Sequence, residues 1–247
     1  MKQLKAIAGV NPNDGSETLE AFDGRFKVAE TPGAYSYEME PQDLREVRSG
    51  KQFSDFLSVT IHWHQNRFSL QHYSFDHCPA DFQIRFVRQV IDLGADFFFA
   101  HGVHTLKGVE IYKGKPIFHG VSNSVFQTSQ FRSWRDDAAF RAPTSLEGPI
   151  VGDGENIESR WAWLDLPENK EALLVSADYL DGKLSRVRLY PTDLGRTPRP
   201  GSMLGTPTRP APEVANDILG RLCEHSQPFG TKIKIEGGVG VIDISRE

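Results

Sequence analysis

Four of the chain's eight histidines stand just past the ends of two apolar runs. The run FLSVTIHWH closes on His62, Trp63 and His64, and ADFFFAHGVH closes on His101 and His104. Neutral imidazole suits Zn, Mn, Fe and related metals, so histidines on loops beside strand ends are candidate ligands. The residue types assign His62, His101 and His104 to a metal site, with Asn123 as a neutral oxygen ligand or a substrate-orienting group. The competing reading is a set of loop histidines that bond backbone and shape turns, with Asn123 stabilising a turn of its own.

Carboxylates are what this set lacks. A hydrolytic two-metal centre stabilises attacking and leaving oxygens together and needs a bridging ligand. Asp76 is the nearest acidic candidate, placed in a polar loop and expected to be solvated. Glu110 is expected to face solvent or to accept a hydrogen bond that orients a histidine. No G-x-S-x-G elbow, P-loop or dinucleotide fingerprint is present. Cys78, next to His77, is read as a structural cysteine, since sequence neighbours need not face each other.

The elements that must carry these groups follow from periodicity. Leu57 to Ile61 is β-branched and apolar, as in a buried strand. Phe82, Phe86, Val90 and Leu93 form one helical stripe, widened by Ile84, Val87 and Ile91, and Gly94 is placed to end it. Phe97 to Ala100 is an uninterrupted apolar run, as in a strand covered on both faces. Strand, helix and strand at this spacing form a βαβ unit with a right-handed crossover. Two parallel strands would then aim both histidine pairs at one crevice, where α/β sheets bind ligands.

Beyond this unit, Val109 to Tyr112 and Pro116 to Phe118 flank a turn, and Val121 to Phe126 carries Asn123. Leu173 to Ala177 and Leu184 to Tyr190 flank Asp181-Gly182-Lys183, a hairpin signal. The spacing predicts a short helix from Pro41 to about Gly50, a last helix from Pro212, and closing strands over Thr231 to Ile235 and Val239 to Ile244. Short strands at Phe26 to Val28 and Tyr35 to Tyr37, a helix over 132–140 and a strand over 160–164 complete the expectations. Trp161 and Trp163 are read as packing residues. The fold class is α/β, a βαβ unit plus a more antiparallel second sheet. The whole chain is read as one domain, with 1–50 an irregular lead-in and 195–212 a proline-rich loop.

Composition removes several classes of partner. The 247 residues are 38% hydrophobic and 25% charged, ordinary for a globular chain able to bury a core. A net charge of −5 offers no footprint for nucleic acid or an anionic membrane. Two cysteines, Cys78 and Cys223, exclude a disulfide framework. The amino terminus has no apolar h-region and no run reaches the length of a membrane span, so the expected location is cytoplasmic unless that terminus is truncated. The oligomeric state stays open.

The motifs SVTIHWH and IDLGADFFFAHGVHTLKGVEIYKGKPIFHGVSNSVF resemble the capsule-synthesis CapA family. These are poly-γ-glutamate biosynthesis proteins of the calcineurin-like metallophosphoesterase superfamily. The family pattern is H-W-G at a strand end, a helix closing in G-A-D, then G-H-H-P-H, E-x-Y-x-G-x-P-I-F and a G-N-F loop. The tail ILGRLCEHSQPFGTKIKIEGGVGVI is also similar, so the likeness covers most of the chain. It implies that His62, His101 and His104 help bind divalent metal (Mn, Zn or Fe), and it places Asn123 and Glu110 on family positions. It further implies a metallophosphoesterase-like sandwich, present in part.

This chain departs from that pattern. His64 replaces the glycine of H-W-G, Ala100 the glycine of G-H-H-P-H, Gly102 its middle histidine and Val103 its proline. Ser122 and Ser124 replace the residues flanking the loop asparagine. The family's amino-terminal half, with the Gly-Asp and Asn-His motifs that complete the metal site, has no counterpart here. The expected function is a CapA-like protein of polyglutamate or cell-envelope polymer biosynthesis, acting on a small-molecule or polymer substrate. If active, it would be a metal-dependent hydrolase, with His64 as added ligand or base and Asn123 beside it. The alternative is a scaffold or truncated product that has lost half the site.

Overall fold

The computed structural model describes residues 2–21, 24–27, 41–64, 77–127 and 166–244. The expectations for Tyr35 to Tyr37, 132–140, 160–164, Trp161, Trp163 and Asp76 lie outside these residues. The lead-in holds a helix α1 (Lys2–Ile7) and a hairpin of β1 (Thr18–Ala21) and β2 (Gly24–Lys27). Helix α2 (Pro41–Gln52) follows where the polar segment predicts it.

The βαβ unit forms as β3 (Ser58–His62), α3 (Asp81–Asp92) and β4 (Phe97–His101). The two strands pair in parallel with Ser58 opposite Phe97 and His62 opposite His101. The start of α3 is capped from within the helix. The buried Gln83 side chain accepts the Ala80 backbone N–H at 2.8 Å, satisfying a group that the first turn leaves open. The hairpin of β5 (Val109–Tyr112) and β6 (Lys115–Phe118) extends the sheet, with β6 parallel to β4, in the order β3-β4-β6-β5.

A second, antiparallel sheet is ordered β7-β8-β10-β9. Its strands are β7 (Glu171–Leu180), β8 (Lys183–Asp193), β9 (Lys234–Glu236) and β10 (Val239–Asp243), joined by α4 (Pro212–Ser226). The Asp181-Gly182 turn joins β7 to β8 as predicted, but both strands run further than their apolar centres, with a register shift at Asp178/Tyr179. The chain is therefore α/β, with one mainly parallel and one antiparallel sheet.

Side-chain parity sorts two cores on either side of the first sheet. Phe98 and Ala100 face α3, and with Val87, Val90, Ile91, Trp63 and Ile117 they make one cluster. Phe97 and Phe99 point the other way, onto a cluster of Val109, Phe118, Val187, Leu189, Ile218, Leu219 and Leu222. A continuous apolar run was required because both faces of β4 are covered. No described helix is long and apolar enough to cross a membrane.

The two strand starts are pinned by one carboxylate. Asp96 accepts the Leu57 amide at 3.0 Å and pairs with Lys51 of α2 at 2.8 Å and with Lys115 of β6. Its backbone carbonyl takes the Tyr179 hydroxyl of β7 at 3.2 Å. Burial alone would raise its pKa, but the bonds from Lys115, Lys51 and the Leu57 amide outweigh that and draw it to about 2. By contrast, Arg186–Asp243 is a pair between solvent-exposed side chains, where water and salt screen the attraction.

A folded-state pKa below the unfolded one gives stability that is present above the unfolded value and lost as pH falls. The shift from 3.8 to about 2 corresponds to about 2 kcal/mol at neutral pH. Asp96→Asn should therefore lower urea-unfolding stability at pH 7 by about 1–3 kcal/mol. The difference from wild type should shrink as pH drops from about 4 towards 2; an equal loss at both ends of that range would refute the assignment.

Candidate functional site

The parallel register brings the histidines together. Since His62 and His101 are Cα partners at the carboxyl ends of β3 and β4, their rings meet edge to face with centroids 4.9 Å apart. His64 folds back so that its Nε2 lies 2.9 Å from Nε2 of His62. Its ring centroid is 5.8 Å from that of His104. His104 in turn places Nδ1 2.7 Å from Oδ1 of Asn123. The five residues singled out by the sequence thus form one connected cluster.

Asn123 fixes the chemistry of His104. Its Nδ2 donates to the Asn169 carbonyl at 3.3 Å, which leaves Oδ1 as the acceptor facing the imidazole. An amide oxygen only accepts, so Nδ1 of His104 carries a proton, which makes Nε2 the lone-pair nitrogen of the neutral ring. This is the orienting arrangement that metal-ligating histidines commonly use. Burial first, then the neighbouring His62, pushes the His101 pKa below the ordinary histidine value.

Two loops carry unusual backbone to achieve this. His104 and Ser122 sit at φ 57° and 59°, in the left-handed region that non-glycine residues rarely use. The Ser122 hydroxyl donates to the His104 carbonyl at 3.1 Å and ties the two loops together. Gly102 lies between the histidines at φ 97°, and a Cβ there would stand 2.8 Å from the His62 ring and from the Trp63 carbonyl. The glycine gives the His62 imidazole its room. The Asn123 loop is buttressed from the proline-rich segment, where Phe126 N–H donates to the Gly205 carbonyl at 2.9 Å. A Cβ on Gly205 would fall 1.8 Å from the Phe126 oxygen.

Several participants left no local signal in the sequence. Asn169 reaches Asn123 from the turn before β7, 46 residues away. Phe126 lays its ring 5.3 Å from that of His104. Glu110 is buried rather than solvent-facing, and the histidine it serves is not one of the cluster. Its carboxylate binds Arg88 at 2.7 Å and Nε2 of His119 at 3.2 Å. His77 and Cys78 are not in the cluster either. His77 stacks on His225 at 4.2 Å, and burial, followed by His77 and Arg221, draws the His225 pKa to about 4. Cys78 and Cys223 are both free thiols.

The donor set fits an imidazole-preferring metal in part. Two nitrogens bound to one tetrahedral zinc at about 2.0–2.1 Å stand about 3.3 Å apart, close to the His62–His64 separation. Among the described residues, no three His, Cys, Asp or Glu side chains gather tightly enough to hold a metal ion.

The comparisons with known proteins agree with the motifs. The bacterial capsule synthesis protein family PGA_cap matches residues 6–128, the segment that contains every member of the cluster. This chain belongs to that family. Protein y4sH of Sinorhizobium fredii is 30% identical over 259 residues, covering 98% of this chain and 54% of that protein. The PGA biosynthesis protein CapA of Bacillus subtilis is 33% identical over 92 residues, 37% of this chain and 22% of its own length. The capsule biosynthesis protein CapA of Bacillus anthracis is 27% identical over 135 residues, 53% and 30% respectively. The chain thus spans about half the length, or less, of the curated relatives it matches.

Removing the Asn123 side chain should release the His104 ring. In Asn123→Ala, the nitrogen chemical shifts of His104 are expected to move from a single tautomer towards a mixture. An unchanged tautomer would show that another group sets it.

Proposed function

We propose that this chain is the histidine-bearing half of a divalent-metal site in a CapA-like protein of capsule or poly-γ-glutamate biosynthesis. The observation that carries the reading is the connected cluster His62–His64–His101–His104–Asn123 at the carboxyl ends of two parallel strands. Membership of the PGA_cap family supports the polymer association. The metallophosphoesterase-like sandwich belongs to this proposal, supported by helices on one face of a mainly parallel sheet and a second sheet on the other.

In this reading His62, His101 and His104 would be the residues that supply imidazole nitrogens to Mn, Zn or Fe once the site is completed, and His64 would add a fourth nitrogen or serve as a base. Bound metal would polarise a substrate oxygen and lower the pKa of a water. The protein's own residues set the stage for that. Asn123 accepts a hydrogen bond from Nδ1 of His104, Gly102 admits the His62 ring, and burial lowers the His101 pKa.

Carboxylates divide this reading from its alternative. Among the described residues, Asp96 is bound to two lysines and Glu110 to Arg88 and His119, all away from the cluster. A protein that keeps the fold and the histidines without turnover, a scaffold for the same pathway, is favoured by that observation.

Metal uptake tests the site. Purified chain incubated with Mn, Zn or Fe and desalted should retain metal by elemental analysis. His101→Ala should weaken retention by at least about 10–100-fold, the loss typical of removing even an outer-shell partner of a metal ligand, while His77→Ala leaves it unchanged. Equal retention in both variants would overturn the assignment.

A further inference from the structure

Two imidazoles join segments that pack on opposite faces of the first sheet. Helix α3 lies on one face and α4 on the other. His77 belongs to the lead-in to α3 and His225 to the last turn of α4. Their rings stack with centroids 4.2 Å apart and planes 14° from parallel. Both segments also grip the loop before β5. Nδ1 of His77 donates to the Leu106 carbonyl at 3.2 Å, and Nζ of Lys107 reaches the Cys78 carbonyl at 3.5 Å. From α4, the His225 carbonyl comes so close to Gly108 that a Cβ there would fall 2.1 Å from its oxygen. Lys107 is 1% exposed, and the lead-in forms part of its cover. Keeping an ammonium from water is costly, so that cover is under load.

The stack tolerates neutral rings and not charged ones. Neutral aromatic faces attract, whereas two imidazolium ions at this spacing repel. Among the described residues, no carboxylate acts on His225 to offset that repulsion, and Arg221, one turn back on α4, adds to it. Asp81 of α3 and Glu224 of α4 are exposed, and Glu110 of β5 is taken by Arg88 and His119. The turn Gln227–Phe229 after α4 carries no charge. Burial first, then His77 and Arg221, puts the His225 pKa at about 4, against an ordinary 6.5. A value lower in the closed form than in the open one favours closure above about 6.5 and loses that preference as pH falls towards about 4.

We infer that the His77–His225 stack is an acid-opened clasp: a proton taken up by the pair drives the lead-in to α3 off the end of α4 and opens Lys107 to water. The end of α4 stays on the sheet through its own bond from the Val109 amide to Ser226 and the stacking of Phe229 on His119. The histidine cluster keeps separate fastenings through Ser122 and Asn123, so the clasp acts on the joint between layers and does not depend on the metal reading. The span from 6.5 to about 4 sets a ceiling of about 300-fold on the change in the open-to-closed ratio. Water around the half-buried His225 screens part of that, leaving an expected change of about tenfold or more.

Hydrogen–deuterium exchange on the full chain, corrected for the intrinsic effect of pH, tests the clasp. The Ala80 amide, buried in the lead-in and bonded to the Gln83 side chain, reports opening. The Leu194 amide, bonded to the Lys170 carbonyl, reports unfolding elsewhere. Between pH 7 and 4.5 the protection of Ala80 should fall about tenfold or more while that of Leu194 holds. His225→Phe keeps a ring under His77 but takes no proton, and a protonated His77 is accommodated over a phenyl face. In that variant the Ala80 protection should stay flat over the same range. Should His225→Phe fail to fold, His77→Phe at the half-buried partner position carries the same expectation. Constant Ala80 protection in wild type, an equal fall in the phenylalanine variant, or a fall of Leu194 in step with Ala80 would each overturn the inference.

Discussion

The grip of the Asp96 carboxylate on the Leu57 amide is the constraint from which the rest of the arrangement follows. It fastens the first residues of β3 and β4 side by side, so the two strands leave the same starting line. Strand pairing has a strict side-chain period of two, and a slip of one residue would exchange faces. Trp63 would then turn towards the histidines, and the His62 imidazole would turn into the apolar cluster around Phe86 and Phe98. Because Lys51 and Lys115 reach the same carboxylate from α2 and β6, the helix layer and the hairpin are referenced to that line as well.

From this anchor the two layers diverge in character. The α3 side is a plain apolar contact, built from a helical stripe and every second residue of β4. The opposite side joins β4 to the antiparallel sheet and α4, and polar fastenings accompany the apolar ones. Ser226 Oγ accepts the Val109 amide at 3.0 Å inside the protein, so that the end of α4 is bonded directly to β5. The buried Asp193 accepts the amides of Gly195, Arg196 and Thr197, which organises the proline-rich segment against β8. That segment then supports the Asn123 loop through Gly205.

Much of this was legible before any coordinates. The periodicity of Phe82 to Leu93, the Phe97 to Ala100 run and the Asp181-Gly182 turn each express a local rule, and local rules survive folding. The convergence of His62 and His101 also followed, because a right-handed βαβ crossover leaves little choice. What stayed hidden depends on contacts between distant segments. The pairing of His77 with His225 spans 148 residues and two layers. Glu110, expected either to face solvent or to orient a histidine, is buried where Arg88 of α3 and His119 meet it, and neither partner is marked in the local sequence. The tautomer of His104 depends on Asn169, for which the sequence holds no marker. Gly102 was visible as a departure from the family pattern, but its purpose was not; only the His62 ring lying across it explains why a side chain has no place there.

The Asn123 amide has a consequence beyond the site. One end of it holds His104, and the other holds a carbonyl in the turn that leads into the second sheet. Next to it, Ser122 pairs with Ala172 of β7 in an isolated bridge. The position of a single proton on an imidazole is thereby tied to how the two sheets sit on each other.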